Sequence, residues 1–523
     1  MADPIQPIER FHATEPLRGS EHVAESPLYE GRFGRMFRNL SEPTARVSDS
    51  RLLQLAATMI EAEATKDDEA GDGIIPAGFT YLGQFVDHDT TFDPNSQLQR
   101  DNDPNALQNF RTPRFDLDSV YGAGRDDTPF LYRADGVHFL IGTSENGKED
   151  LPRNAPQGGE AARALIGDPR NDENLIIAQL HLGFLKFHNK VANRLKARSP
   201  GRFPDTARGR KRLFDEARRE VRWHYQWVVI QDFLRRIAGD AVVDDILKPE
   251  TIAVSTGTAT RLTADLRFFH WRNRPFMPIE FAAAAYRFGH SMVRSDYELN
   301  APDQDLPIFS NDPTKDLRGF RRRPTGRTIQ WKRFFEVPGS GDLEGGEPVL
   351  QMARKIDPHI AVGLGSLPVP VVPEGSAPNN AESPTSLAAR NLLRGKALGL
   401  PTGQAVAQAM GLTPLTSGQL DIPDSPDAAH PDELRTTFNR NTPLWFYILK
   451  EAEVQHDGTR LGDVGGRIVA EVLVGLLDGD PQSFLSVEPN WVPEPNEFGA
   501  KGGDVEPEER FKMADLIAFA FGL

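Results

Sequence analysis

Tyr81-Leu82-Gly83-Gln84-Phe85-Val86-Asp87-His88-Asp89 is the stretch on which the reading of the fold turns. As a helix it places Gln84, Asp87 and His88 at i, i+3 and i+4, on one face. Leu82, Phe85 and Val86 flank that face and suit a core. A polar stripe edged by large apolar side chains asks for a polar guest inside the body. Two distant stretches offer matching chemistry, Gly167-Asp168-Pro169-Arg170-Asn171-Asp172-Glu173 and Tyr286-Arg287-Phe288-Gly289-His290.

Helical patterning spreads outward from this segment. Residues 50–64 read as a helix, 66–78 as a polar, glycine-containing loop, and 93–114, rich in Asn, Asp, Pro and Gln, as a second loop. Long helices follow over 174–195 and 204–238; the first repeats Leu175, Ala178, Leu182, Leu185, Val191 and Leu195 at helical spacing. A helix over 281–293 carries His290. Residues 337–348 and 369–384 read as loops, and helical signal returns over 386–398, 402–410, 432–453 and 465–477. Strand signal is sparse and no repeat is visible. The expected organisation is an N-terminal arm, residues 1–50, packed on one mainly α domain, residues 51–523.

Composition narrows the class. Hydrophobic residues make up 39% of the 523 and charged residues 26%, as in a soluble globular protein. A net charge of −15 argues against a nucleic-acid binder. The basic runs at Arg208-Gly209-Arg210-Lys211-Arg212 and Arg321-Arg322-Arg323 read as solvated helix ends or loops. Cysteine is absent, which removes disulfides, thiolate metal sites, cysteine nucleophiles and a cysteine-ligated haem. The N-terminus lacks the pattern of a secretory signal, and the apolar run 468–477 contains Glu471 and is too short to span a bilayer. The expectation is a soluble protein, in the cytoplasm by default, with leaderless export left open.

The guest that suits the polar stripe is a haem. Peroxide cleavage there needs a base that carries a proton between the two oxygens, and a cation that stabilises charge as the bond breaks. His88 is the candidate base and Arg170 the candidate cation. His290 is the candidate iron ligand, with Gly289 leaving room for a flat macrocycle and Asn391 a candidate acceptor for the other ring N–H. The run Thr112-Pro113-Arg114-Phe115-Asp116-Leu117-Asp118-Ser119, together with Asp89, alternates oxygen-bearing groups in a way that suits calcium. Plainer readings stand beside each: packed core histidines, a surface arginine, a helix-surface amide and a solvated acidic loop. His181 and His188, at i and i+7, read as core packing.

Taken together, these motifs resemble the peroxidase–cyclooxygenase superfamily, the animal-type haem peroxidases, from about Ile74 to the end of the chain and most strongly between Gly78 and Asn189. Gly83 to Asp89 resembles the distal-helix motif, and Arg111 to Gly122 the calcium loop. Gly167 to Arg170 with Glu173 resembles the distal arginine motif, continued by Leu180-His181 and His188-Asn189. Tyr286 to His290 resembles the proximal motif, and Arg390-Asn391-Leu392-Leu393-Arg394 with Gly399-Leu400-Pro401 the asparagine segment.

The resemblance implies a single large helical haem-peroxidase domain with very little strand. His88 is then the distal acid–base, Arg170 the distal cation, and Gln84 the holder of water or a halide. His290 ligates iron, Asn391 supports it, and Arg287 and Arg394 meet the haem propionates. Asp89, Thr112, Arg114 (through its carbonyl), Asp116 and Asp118 bind calcium. Asp87 and Glu173 are placed to form ester bonds to haem b. The sulfonium link of some members needs Met after that glutamate, where this chain has Asn174. The cysteine-free composition suits a bacterial branch. Implied partners are hydrogen peroxide and a small donor, a halide, thiocyanate or aromatic, with a place in the response to oxidative stress. Dioxygenase members carry a radical-forming tyrosine three residues before the proximal histidine. Here that position is Arg287, and Tyr286 sits four before. A fatty-acid dioxygenase is therefore the runner-up, and a haem-free calcium-binding scaffold the third reading.

Overall fold

The computed structural model describes residues 31–40, 47–63, 69–92, 108–109, 111–155, 162–254, 257–271, 275–300, 305–310, 312–344, 347–369, 371–493 and 510–523. The rest of the 1–50 arm and most of the 93–114 loop lie outside the described residues.

Helix α1 (Asp49–Thr58) is capped by the Ser48 hydroxyl, which accepts from Arg51 N. A short strand (Asp72–Pro76), where the sequence suggested only loop, pairs antiparallel with Met352–Arg354 and leads into α2 (Gly78–Thr90). No side chain caps α2. Instead Gly78 N donates to Phe334 O at 2.9 Å, and a Cβ on Gly78 would stand 2.5 Å from that oxygen. Only glycine fits this seat, and it pins the start of the helix.

Asn174 caps α3 (Leu175–Arg198) and Thr206 caps α4 (Ala207–Val228). The three helices meet through rings: Phe85 of α2 stacks on Phe184 of α3 at 4.5 Å, and Tyr225 of α4 meets them edge-on at 6.0 and 5.6 Å. Such pairs add about 0.5–1.5 kcal/mol each beyond their buried area. They set the roll of α2, and with it the direction of its polar stripe.

The 204–238 helix is not continuous. A π-helical turn, Val229–Leu234, widens it before Arg235–Ala238. A correction also applies to 281–293: Ala284, with φ −136° and ψ −73°, leaves the α path, so a short turn Ile279–Ala282 is followed by a 3₁₀ segment, Ala285–His290. Further on stands α5 (Leu387–Ala397). The 432–453 helix is split into Glu433–Phe438 and α6 (Leu444–His456), because Pro443 at ψ 135° cannot carry a helix through. Then come α7 (Asp463–Asp478) and α8 (Met513–Phe521). Asp232, in the π turn, accepts from Met513 N at 2.8 Å and so docks α8. A hairpin of Leu247–Val254 and Gly257–Ala264, rich in threonine, escaped the sequence reading. The 337–348 loop holds two-residue strands, Leu343–Glu344 and Glu347–Pro348.

Within the arm, Gly31–Gly34 pairs with Gln108–Asn109 and with Met277–Pro278. Met36 N and Phe37 N donate to the buried Glu280 carboxylate at 3.0 and 3.1 Å. One apolar cluster runs from Phe33 to Ala520. The described residues are mainly α-helical with little strand, and none of their helices is long and apolar enough to cross a membrane.

Candidate active site

α2 carries Gln84, Asp87 and His88 on one side. His88 is buried, and its Nδ1 lies 2.8 Å from Asn171 Oδ1. An amide oxygen only accepts, so Nδ1 carries the proton and Nε2 the lone pair. Asn171 Nδ2 points to His181 Nδ1 at 3.0 Å. Burial, reinforced by Arg170, pushes the His88 pKa down to about 3, so the ring is neutral at neutral pH.

Asp168 begins the 3₁₀ turn Pro169–Asp172 by accepting from Arg170 N at 2.9 Å. The Arg170 guanidinium donates to Asp168, and to Thr91 O and His88 O at 2.9 Å each, and lies over the Phe92 ring at 4.5 Å. It thus clasps the C-terminal end of α2, where a cation is favoured, and sets its charge beside His88. Burial alone would raise the Asp168 carboxyl; Arg111 and Arg170 outweigh it and hold the group well below the ordinary range.

Gln84 Nε2 donates to Glu173 Oε1, and that oxygen stands 3.8 Å from His88 Nε2. The Glu173 side chain is 37% exposed. It is nevertheless so enclosed that burial pushes it up to about 7 against the pull of Arg170. Burial likewise raises Asp87, against Arg170 and Arg287.

The second histidine sits on the 3₁₀ segment. Residues three apart eclipse there, so Arg287 and His290 share a side. Tyr286 turns elsewhere: its hydroxyl donates to Gly83 O of α2 at 3.2 Å, and its ring stacks on Phe281 at 4.6 Å. His290 Nδ1 lies 2.7 Å from Asn391 Nδ2 on α5, while Asn391 Oδ1 accepts from Arg287 Nη1 at 2.9 Å. The amide therefore faces the ring with its nitrogen, not with the oxygen expected of an acceptor, because Arg287 claims that oxygen. An amide turned over would serve both donors, since Oδ1 has two lone pairs. Burial, with Arg287 adding, pushes His290 down to about 3.

Beyond these bonds lies open space. His290 Nε2 bonds no protein atom among the described residues, and a Cβ on Gly289 would meet nothing within 4 Å. Asp87, Arg170, Arg287 and Arg394 line a cleft of about 210 Å³ walled by Phe33, Phe92, Ile279 and Leu398; neither His88 nor His290 is among its lining residues. Apolar walls with a cationic rim fit a flat apolar group bearing carboxylates. A haem is such a group.

Next to His88, carboxylate oxygens of Asp89, Asp116 and Asp118 fall within 4.8 Å of one another. Leu117, at φ 56°, bends the chain between the last two. Thr112 Oγ1 donates to Asp116 Oδ2 at 2.7 Å, and Arg114 N donates to Thr112 O at 2.8 Å. Burial and mutual repulsion raise Asp89 well above its ordinary value, and burial raises Asp118 to about 6. Hard oxygen donors crowded this way suit a divalent cation.

Sequence reasoning passed over Asn171, Asp168 and Arg111, each with only its place beside Arg170 or Thr112 as a signal. His181 also needs correction, since it bonds Asn171 as well as packing. His188 is a core residue, held by Tyr121 Oη at 3.0 Å and Val137 O at 2.9 Å.

The family model for animal haem peroxidase matches residues 96–484. Chorion peroxidase of Aedes aegypti is 31% identical over 211 residues, 39% of this chain and 25% of that protein. Peroxidase skpo-1 of Caenorhabditis elegans is 24% identical over 377 residues, 71% of this chain and 48% of that one. The matched region thus spans no more than about half the length of these relatives. Among solved structures, peroxidase A from Dictyostelium discoideum superposes with a TM-score of 0.56 at 17% identity, covering 84% of this chain and 86% of that one. Fatty acid alpha-dioxygenase of Arabidopsis thaliana gives 0.51 at 15% identity, covering 83% and 71%. At such identities the structures show a shared, mainly α fold.

Proposed function

The chain belongs to the animal haem peroxidase family, and from that premise we propose that it reduces hydrogen peroxide and oxidises a small donor, a halide, thiocyanate or aromatic. One observation carries the reading. Two neutral histidines, His88 buried and His290 half-buried, each have Nδ1 held by an asparagine and Nε2 bonded by no protein atom among the described residues. That is how a protein presents one base and one metal ligand.

In this reading His290 Nε2 ligates the iron of haem b, with Asn391 turned to accept from Nδ1–H. Arg287 and Arg394 take the propionates, and Asp87 and Glu173 are available for ester bonds. A bound haem supplies the redox-active iron that accepts electrons from the donor and passes them to peroxide. The chain's own part is proton transfer and charge. His88 Nε2 takes a proton from one peroxide oxygen and returns it to the other, which leaves as water. Arg170 favours the negative charge that develops meanwhile, and Gln84 holds water or a halide beside Glu173. Calcium at Asp89, Thr112, Arg114, Asp116 and Asp118 holds the end of α2 in place. The missing cysteines set the chain apart from disulfide-bonded members and suit a bacterial branch.

A fatty-acid dioxygenase is the second reading, favoured by the plant dioxygenase fold match. Against it, the residue eclipsed with His290 is Arg287, and the Tyr286 hydroxyl is spent on Gly83 O. Stopped-flow spectroscopy of the haem-loaded protein with peroxide, then a panel of halides and phenols, tests the choice. We expect a fast peroxide-dependent spectral change, slowed about 10²- to 10⁴-fold in H88A with haem retained. Oxygen uptake with linoleate and no added peroxide would reverse the assignment.

A further inference from the structure

His181 lies one residue removed from the base, on a different helix, and carries an unusual cost. Its ring is fully buried against Phe85 at 6.1 Å, and its Nε2 has no hydrogen-bond partner among the described residues. An apolar ring would pack there without leaving a buried polar atom unsatisfied. The bond that His181 does make is therefore its use. Its Nδ1 accepts from Asn171 Nδ2 at 3.0 Å, and Asn171 Oδ1 accepts from His88 Nδ1 at 2.8 Å.

We propose that His181 is a positioning residue: through the Asn171 amide it sets the tautomer of His88, keeping the proton on Nδ1 and the lone pair on Nε2, where the base needs it. The inference deepens the peroxidase reading and rests on it. The logic is one of alternating donors and acceptors. An asparagine amide can turn over at little steric cost, presenting nitrogen where oxygen was. Turned over, Asn171 would donate to His88 Nδ1 and drive the proton to Nε2, leaving no lone pair there to act as the base. His181 opposes this when its own proton sits on Nε2, a tautomer that histidine NMR reads, because its bare Nδ1 then accepts only from the amide nitrogen. Among the described residues the same ring makes no other hydrogen bond, so this is its one polar task. Asn171 directly follows Arg170, so one short turn positions both the cation and the lock on the base.

The test uses H181F, which keeps a ring against Phe85 but removes the acceptor, and H181Q, whose amide oxygen can restore it. The full-length chain, labelled with ¹⁵N-histidine and prepared without haem, reports the His88 tautomer by NMR. The haem-loaded protein reports the second-order rate with peroxide. We expect His88 as the Nδ1–H form in the wild type, a mixture of forms in H181F with a rate at least tenfold lower, and recovery of both in H181Q. In the N171D background the carboxylate accepts from His88 unaided, so adding H181F should cost nothing further.

An unchanged tautomer and rate in H181F would overturn the proposal, as would equal losses in H181F and H181Q, which would mark a packing role. A wild-type His88 protonated on Nε2 would overturn it as well. Should H181F fold poorly, N171A removes both bonds at once, and a single Nδ1–H form there also refutes the idea. If the wild-type protein binds haem but ignores peroxide, the peroxidase reading fails, while the NMR result still decides the tautomer lock.

Discussion

Gly289 stands beside His290 with nothing within 4 Å of where its Cβ would be, although the segment around it is packed on three helices. Some glycines of this fold are required by protein neighbours, as Gly78 is by Phe334 O, while others, such as Gly363 and Gly418, likewise meet nothing among the described residues. Gly289 is of the second kind, and its place beside the proposed iron ligand makes that space room for the haem proposed above. Gly289→Leu is accordingly expected to leave the melting temperature of the haem-free chain unchanged. Haem uptake should weaken about tenfold or more, since forcing a side chain into a filled site costs about 1–3 kcal/mol. Absorbance titration with hemin beside thermal melts of both proteins checks this, and undiminished uptake would put the macrocycle elsewhere. The same scale explains why neutral histidines matter here: burial removes the charge, and one hydrogen bond then decides which nitrogen is left to work.

At the scale of elements, carboxylates do what missing local caps do not. Gly462 gives α7 no side-chain cap, and Glu451 of α6 supplies one, its Oε2 accepting from Val464 N at 2.9 Å and Gly465 N at 3.1 Å. Burial pushes this carboxyl up to about 8 from an ordinary 4.5, with those two N–H groups opposing. The folded state therefore holds the proton more tightly than the unfolded chain. The stability linked to it is full below about 4.5 and is lost as the pH rises through about 8. We expect melting temperature to fall between pH 6 and 9 in the wild type, and E451Q to flatten that slope. A wild-type curve flat over that window would refute the account. α2 is governed the same way, by the Arg170 clasp at its end and the Phe334 carbonyl at its start.

For the whole molecule, the functional centre is an assembly of segments that no local interaction brings together. The aspartate cluster touches α2 at Asp89, immediately after His88, so a cation held there as proposed would share one backbone with the proposed base. Removing calcium should destabilise the fold, because three carboxylates then face one another within 4.8 Å. A ligand at a hundred times its Kd contributes about 2.7 kcal/mol. Melts with and without chelator are expected to differ by several degrees, with recovery on adding calcium but not magnesium, and D118N should abolish the difference. Identical melts would leave the cluster an ordinary ion-pair network around Arg111.

Much of this was legible in the order of residues. The spacing of Gln84, Asp87 and His88, the helix starts at 174 and 386, and the absence of cysteine need only local geometry and composition to be read. They determined helices, the amphipathic stripe and the exclusion of thiolate chemistry. Periodicity does not register a change of helix type, so the 3₁₀ path of Ala285–His290 appeared only when Ala284 was fixed by its neighbours. That path decided that Arg287, and not Tyr286, shares a side with His290. The bonds from Asn171 to His88 and to His181, from Asn391 to Arg287 and from Arg170 to the end of α2 likewise join residues from separate turns. A hydrogen bond has direction and reach of about 3 Å, so its partners are chosen by how helices pack, and only the tertiary structure could choose them.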